Sequence, residues 1–311
     1  MTALVEAIRR ALGEVLAAKP EAILMGQDVG LHGGLFRASA GLFEQLGEAR
    51  VLDLPPNAPA MLGFARGLKM AGHLPIVELP PGESAARAGQ ALADDVARMS
   101  LRTGGALSGP FVVRIPVGHV YPASGLSDGD SPAPALARAE GLTVVAPSRP
   151  SDAWAMIHAA VDHDQPVVVL EPKALYRKKG APLAPDGVPS PDVLTSARVV
   201  RPGPDLTLFA WGAGVPLAFE AAERLTAEGY ECGVVDVRVL RPLPLTQLGQ
   251  ALAASGRGLV VHDGAGAFAS EVIASLARVA FLSLEAPLID IDIGHADVPA
   301  VVAAALATLT F

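Results

Sequence analysis

Apolar residues along the chain alternate between a helical period and short uninterrupted runs. Val5, Ile8, Leu12 and Val15 recur at helical spacing, so the chain opens with a predicted amphipathic helix. Uninterrupted apolar runs predict buried strands at 22–25, 75–78, 110–114, 142–145 and 166–170. Helices are predicted at 60–71, 84–102 and 151–163. Apolar strands separated by helices predict a parallel sheet that is covered on both faces.

The alternation stops at 178–204, where six prolines occur and no apolar period is sustained. This stretch predicts a linker over the protein surface, which we place at 181–204. Beyond it, strands are predicted at 206–210, 232–238, 258–262 and 287–292, and helices at 215–228, 244–255, 268–280 and the C-terminus. With 311 residues the chain is too long for one ordinary core. We therefore predict two α/β domains, 1–180 and a smaller one at 205–311.

Composition narrows the class of protein. Hydrophobic residues make up 51% of the chain and the mean hydropathy is +0.40, which indicates apolar surface covered by another subunit. The net charge of −8 is scattered, without the basic patch that nucleic-acid binding requires. A single cysteine, Cys232, excludes an internal disulfide and a cysteine-rich metal site. Charges interrupt the N-terminal apolar pattern, and residues 298–311 are too few to span a bilayer, so we expect a cytoplasmic protein without membrane contact.

No short motif in the sequence assigns a chemical reaction by itself. Residues 264–269 read Gly-Ala-Gly-Ala-Phe-Ala between a predicted strand and a predicted helix, as in a dinucleotide-binding turn, but the acid expected at the end of the next strand is missing. A tight strand-to-helix turn is the better interpretation. No pair of the seven histidines has the spacing of a helical zinc site. The paired acids at 128/130 and 162/164 are interpreted as solvated, with a cation site as the alternative, and no metal site is predicted.

A more specific signal comes from seven stretches spread over nearly the whole chain. The first is the opening loop, Met25-Gly-Gln-Asp-Val-Gly-Leu-His-Gly-Gly34. The others lie at 51–55, 70–72, 75–78, 141–147, 236–243 and 296–299. In this order they resemble the β-subunits of 2-oxo acid dehydrogenase first components, thiamin-dependent decarboxylases that feed lipoyl-bearing acyltransferases. The chain is identified as a member of that fold family.

The resemblance implies a pyrimidine-binding-type domain followed by a transketolase C-terminal-type domain. In the family the β-subunit holds the aminopyrimidine of thiamin diphosphate, and the α-subunit grips the diphosphate and magnesium. We therefore expect thiamin diphosphate with Mg at an interface between chains. The expected partners are a second copy of this chain, giving a homodimer, and an α-type subunit that completes a heterotetramer.

The position that activates the cofactor in the family differs here. A glutamate near a ring nitrogen favours the imino tautomer, whose nitrogen can remove the thiazolium proton. The family carries this residue in an Asp-Thr-Pro-x-Ser-Glu-Ala-Gly stretch, and an ungapped alignment from Asp53 places Ala58 at the glutamate. Residues 54–77 contain no Asp or Glu, so a shifted alignment supplies no substitute.

Other positions of the same pocket also depart from the family. Gln27 and Asp28 stand where the family has Glu-Asp, which removes a titratable group. Gly82 and Ser84 stand where phenylalanines pack against the cofactor ring. Together with Ala58, these four residues form the predicted remnant of a pyrimidine pocket.

The loop before Gly141 usually carries a histidine that faces the substrate. Counting back from Gly141 puts Asp128 at or near that position, and His119 is the imidazole in the same loop that could replace it. No catalytic residue is assigned. Three hypotheses remain: a β-subunit with an altered mechanism, a non-catalytic interaction subunit, and a module that binds or senses a small molecule in the vacated pocket.

Overall fold

Strands and helices alternate along nearly the whole chain. The computed structural model describes residues 1–119, 132–180, 192–264, 266–294 and 296–311. The strands β1 to β8 lie at Thr2–Ala3, Ala22–Gly26, Val51–Asp53, Leu74–Glu78, Val112–Val117, Thr143–Val145, Val167–Pro172 and Lys179–Gly180. The helices α1 to α7 lie at Leu4–Ala18, Leu42–Leu46, Ala58–Met70, Glu83–Ala91, Met99–Arg102, Ala133–Leu136 and Pro150–Ala160.

The second half of the chain follows the same alternation. Its strands β9 to β14 lie at Arg198–Arg201, Leu206–Ala210, Cys232–Asp236, Val239–Arg241, Gly258–His262 and Ile289–Asp292. Its helices α8 to α11 lie at Gly214–Ala227, Leu245–Ser255, Gly266–Val279 and Val298–Leu309.

Within the described residues, the first sheet has seven strands in the order β12-β6-β7-β5-β4-β2-β3. Adjacent strands of this sheet are parallel, except that β12 runs antiparallel to β6. Alternate residues of a strand face opposite apolar clusters: Leu24 and Ile76 belong to one, and Met25 and Val77 to the other. The sheet is therefore buried on both faces, which confirms the predicted two-domain α/β class.

The second sheet has the order β14-β13-β10-β11-β9 in the described part of the chain. Four of its strands are parallel and were expected. The fifth, β9, pairs antiparallel with β11 and lies inside the predicted linker, so the linker prediction was wrong for 198–201. Arginines bracket its two valines, and a short edge strand with charged ends carries little apolar signal.

Two other expectations need correction. The helix predicted at 84–102 is interrupted by a π-helical turn at 92–96, which inserts an extra residue before α5. The strand predicted at 232–238 ends at Asp236, and the chain then crosses into the first sheet, where Val239 pairs with Val145. The second domain thus contributes β12 to the sheet of the first.

Candidate functional site

The first sheet has a topological switch point between β2 and β4. From β2 the chain moves to β3 on one side, and it then crosses to β4 on the other side. The loops that leave the carboxyl ends of β2 and β4 therefore diverge. In open α/β sheets the crevice between two such loops is the usual ligand site.

Gln27 and Asp28 begin the loop after β2, and both are half-buried. Asp28 adopts a positive φ of 56°, and its carbonyl oxygen accepts a hydrogen bond from the Gly34 amide at 2.6 Å. Gln27 Nε2 lies 3.4 Å from Asp28 Oδ2. The Asp53 carboxylate holds the loop from β3 by accepting the Gly30 amide at 2.7 Å. The loop is therefore fixed over the switch point.

Gly82 and Ser84 lie on the other side of the crevice, where β4 leads into α4. Gly82 has a φ of 68°, a left-handed conformation that a phenylalanine would adopt only with strain. Ser84 is half-buried in the first turn of α4. The backbone at 82 thus disfavours the aromatic side chain that the family resemblance implies there.

Ala58 occupies the first turn of α3, and only 1% of it is exposed. The Asn57 side chain caps this helix by accepting the Ala60 amide at 3.1 Å. Ala58 belongs to the apolar cluster that also contains Met25 and Leu79. A carboxylate at position 58 would therefore lie among apolar side chains.

These residues do not fit the activation of thiamin diphosphate. The crevice offers the Gln27 amide, the Asp28 carboxylate and the Ser84 hydroxyl, but position 58 has no carboxylate and positions 82 and 84 have no aromatic ring. That these are the family's cofactor positions stays a prediction.

A buried charge cluster lies directly beneath the opening loop, and the sequence interpretation missed it. Arg114 donates to Glu171 from Nε at 2.7 Å and from Nη2 at 3.0 Å, and to Glu78 from Nη1 at 2.7 Å. The Tyr176 hydroxyl donates to Glu171 at 2.7 Å. A Cβ added at Gly34 would lie 3.0 Å from Glu78 Oε1, so the loop touches the cluster. A signal existed: Glu78, Arg114 and Glu171 interrupt three apolar strands that are neighbours in the sheet.

Burial and charge act against each other in this cluster. Burial raises the pKa of Glu78, and the neighbouring Arg114 only partly offsets this effect. Burial opposes the charge of Arg114, but the carboxylates of Glu171 and Glu78 outweigh it and raise its pKa. Burial and Glu171 raise the pKa of Tyr176, so this group stays a neutral donor. Arg114 is thus a permanent cation held between two carboxylates.

His119 lies elsewhere, at the seam between the two domains. It follows β5, and its Nδ1 lies 2.8 Å from Oδ1 of Asp263, which follows β13 of the second sheet. Asp263 Oδ2 also accepts the His119 amide at 3.1 Å. A Cβ added at Gly118 would overlap this carboxylate, and one added at Gly294 would overlap the imidazole. The carboxylate therefore orients the ring, in a pair that joins residues 144 positions apart.

The structure assigns no chemical role to the remaining candidate residues from the sequence. Asp128 lies outside the described residues. Of the glycine-rich stretch at 264–269, residues 266–269 form the first turn of α10, and the Gly264 amide donates to Asp292 Oδ1 at 3.0 Å. Across the described ranges, no three His, Cys, Asp or Glu side chains are grouped to hold a metal ion. The same residues include no helix that is long and apolar enough to cross a membrane.

Comparison with family models defines the class of protein. Residues 1–179 match the transketolase pyrimidine-binding domain, and residues 195–309 match the transketolase C-terminal domain. A solved structure described as "Split gene transketolase, inactive beta4 tetramer" has the same fold, with a TM-score of 0.73 and 21% identity over 99% of this chain and 98% of that one. The chain is thus a two-domain protein of the transketolase type.

Curated relatives narrow the family further. The chain is 36% identical to the pyruvate dehydrogenase E1 component subunit beta of Leifsonia xyli subsp. xyli, over 92% of this chain and 84% of that protein. It is 34% identical to the 2-oxoisovalerate dehydrogenase subunit beta of Bacillus subtilis, over 91% of this chain and 86% of that protein. The chain belongs to the family of β-subunits of 2-oxo acid dehydrogenase first components, a family linked to thiamin diphosphate.

Proposed function

We propose that this chain is a β-type subunit that forms one wall of an interfacial thiamin diphosphate site, together with an α-type subunit. This wall is the surface of the chain at the switch-point crevice between β2 and β4. Gln27 and Asp28 line it from one loop, and Ser84 lines it from the other. Family membership and the position of this crevice support the proposal.

The proposed wall lacks the carboxylate that activates the cofactor. The observation that carries this proposal is the buried Ala58 in the first turn of α3. Asp53 and Glu78 flank the stretch without acids, but Asp53 holds the opening loop and Glu78 is bound to Arg114. Reconstitution with an α-type chain, magnesium, thiamin diphosphate and several 2-oxo acids is the direct test. Decarboxylation at a rate typical of enzymes would contradict the absence of an activating group.

The purified chain is expected to bind thiamin diphosphate with magnesium very weakly. Its crevice offers no aromatic packing at 82 or 84, and its described residues hold no metal cluster. Calorimetric titration of the chain alone, compared with its mixture with the α-type chain, measures this affinity. Micromolar or tighter binding by the chain alone would contradict the prediction.

A second candidate function is a non-catalytic subunit that retains the fold and the assembly surface. The structure with the same fold is described as an inactive β4 tetramer, so a β-type chain of this architecture self-associates without activity in that protein. In this chain the outer face of α3 supports association. Phe64 is 48% exposed, Met70 is 68% exposed, and Gly63 and Gly67 have open space where a Cβ would lie. Glycine inside an exposed helix costs about 1 kcal/mol relative to alanine, and close approach of a partner helix is a reason to retain it.

Gly63→Leu is expected to weaken self-association while leaving the fold intact. Leucine favours the helix by about 1 kcal/mol over glycine, and no described residue lies within 4 Å of a Cβ added at this position. Light scattering over a concentration series measures the association, and circular dichroism checks the helix content. Glu223→Leu on the exposed face of α8 is the matched control, and it should assemble like the parent. An unchanged assembly of Gly63→Leu would remove α3 from the proposed homodimer contact.

A further inference from the structure

Basic side chains gather at the carboxyl edge of the first sheet, although the chain carries a net charge of −8. This basic face consists of Arg9 on α1, Arg37 in the loop after β2, and Arg177, Lys178 and Lys179 after β7. All of them are exposed except Arg9, which is half-buried. In the part of the chain that the structure describes, none of these side chains forms an ion pair. The basic face is therefore an unneutralised patch on an acidic protein.

Three segments that are distant in the sequence bring these cations together. Arg9 donates from Nε and Nη2 to the carbonyl oxygen of Arg37 at 3.1 and 2.6 Å, which joins α1 to the loop after β2. The rings of Phe36 and Tyr176 have centroids 5.2 Å apart, and Arg37 and Arg177 directly follow these two residues. The antiparallel pairing of β8 with β1 holds the turn after β7 against the start of α1. The backbone therefore fixes the arrangement of the basic face.

The acids of the same region do not neutralise this face. Glu6 lies at the same end of α1, but its carboxylate accepts the Ala3 amide at 2.8 Å. Arg10, on the next position of α1, differs from the basic face because it pairs with Glu14 at 2.6 Å. Like charges that gather without counter-charges repel one another, so the basic face lowers the stability of the chain alone. A surface with acidic side chains would remove this cost when it covers the face.

The loop after β2 belongs both to the basic face and to the switch-point crevice. It begins with Gln27 and Asp28 at the crevice and continues to Leu35, which is 44% exposed, and to Arg37. A partner that covers the crevice would therefore meet the basic face as well. An apolar side chain with charged groups around it has the composition of a protein interface. Nucleic acid suits this surface less well, because the chain as a whole is acidic.

We propose that the α-type subunit docks on the basic face through acidic side chains of its own. This inference rests on the proposed function, which names that subunit as the other wall of the crevice. It adds the surface on this chain and the sign of the charge through which the subunit binds. Attraction between exposed charges of opposite sign orients two proteins during encounter and raises their association rate, and salt weakens it.

Binding of the full-length chain to the immobilised α-type chain of the same organism tests the proposal. Raising the salt concentration from about 0.05 M to about 0.5 M should weaken binding of the parent chain, since salt screens exposed charges. Arg177→Glu should weaken binding about tenfold at the lower salt concentration, because it turns an attraction into a repulsion. Arg177 is exposed and forms no ion pair with the described residues, so its variant should melt no lower than the parent.

Arg138→Glu is the matched control, because Arg138 is exposed in the turn before β6, at the opposite edge of the sheet, and its replacement changes the net charge equally. Its affinity for the α-type chain should equal that of the parent. If the α-type chain binds the parent but binds Arg177→Glu equally well, or if both variants lose the same affinity, this proposal is overturned and the proposed function stands. If the α-type chain does not bind the parent, both are overturned. A loss of self-association by Arg177→Glu in light scattering, with α-type binding unchanged, would assign the basic face to a second copy of the chain and overturn the proposal.

Discussion

Replacing Arg114 with methionine is expected to lower the free energy of unfolding by about 3–5 kcal/mol. Arg114 is fully buried and makes three hydrogen bonds to the carboxylates of Glu78 and Glu171. Its removal leaves two acids without a counter-charge inside the sheet, where one must take up a proton or stay ionised at a high desolvation cost. Urea unfolding at one fixed protein concentration measures the change, because association would otherwise alter the midpoint.

Two variants show whether the loss comes from stranded charge. Adding Glu78→Gln to Arg114→Met removes one of the unpaired carboxylates, so part of the lost stability should return. Arg224→Met breaks the exposed pair with Glu220 and should change stability by no more than about 0.5 kcal/mol. A loss below about 1 kcal/mol for Arg114→Met would contradict the prediction, because it falls well short of the cost of breaking a buried pair.

The layers of the fold were predictable because each strand is a local apolar run bounded by helical sequence. Ala22–Gly26 and Gly258–His262 lie close to the predicted positions for this reason. β9 and β12 were not predictable in the same way. Both are short antiparallel additions whose partners are distant in sequence, such as Val239 with Val145. Their position depends on tertiary pairing, which local hydrophobicity does not encode.

The candidate site was likewise predictable from the sequence only in part. Gln27, Asp28, Gly82 and Ser84 were placed by family resemblance, and strand order brings their two loops to one switch point. The Arg114 cluster depends on register across three strands, and the His119–Asp263 pair depends on how the domains meet. Neither relation has a fixed spacing in the sequence. Side-chain partners across strands and domains therefore required the structure.

Ala58→Glu is expected to destabilise the chain by about 1–3 kcal/mol and to produce no decarboxylation of 2-oxo acids. Ala58 is buried within an apolar cluster, so the new carboxylate either ionises at a desolvation cost or keeps its proton with a raised pKa. Its place in the first turn of α3 offsets only part of this cost, since a helix N-terminus favours an acid by about 0.3–1 kcal/mol. Melting curves with and without thiamin diphosphate, and activity assays with an α-type partner, measure both effects.

Ala60→Glu is the matched control, because position 60 lies in the same helical turn and is exposed. There the carboxylate stays hydrated beside the helix N-terminus, so stability should be unchanged or slightly increased. A larger loss in Ala58→Glu than in Ala60→Glu assigns the effect to burial rather than to charge. Even with a tolerated glutamate at 58, positions 82 and 84 would remain glycine and serine, without an aromatic ring to pack the cofactor. Robust decarboxylation by Ala58→Glu alone would mean that this crevice is one substitution away from activity, and the non-catalytic subunit would then have to be abandoned as a candidate function.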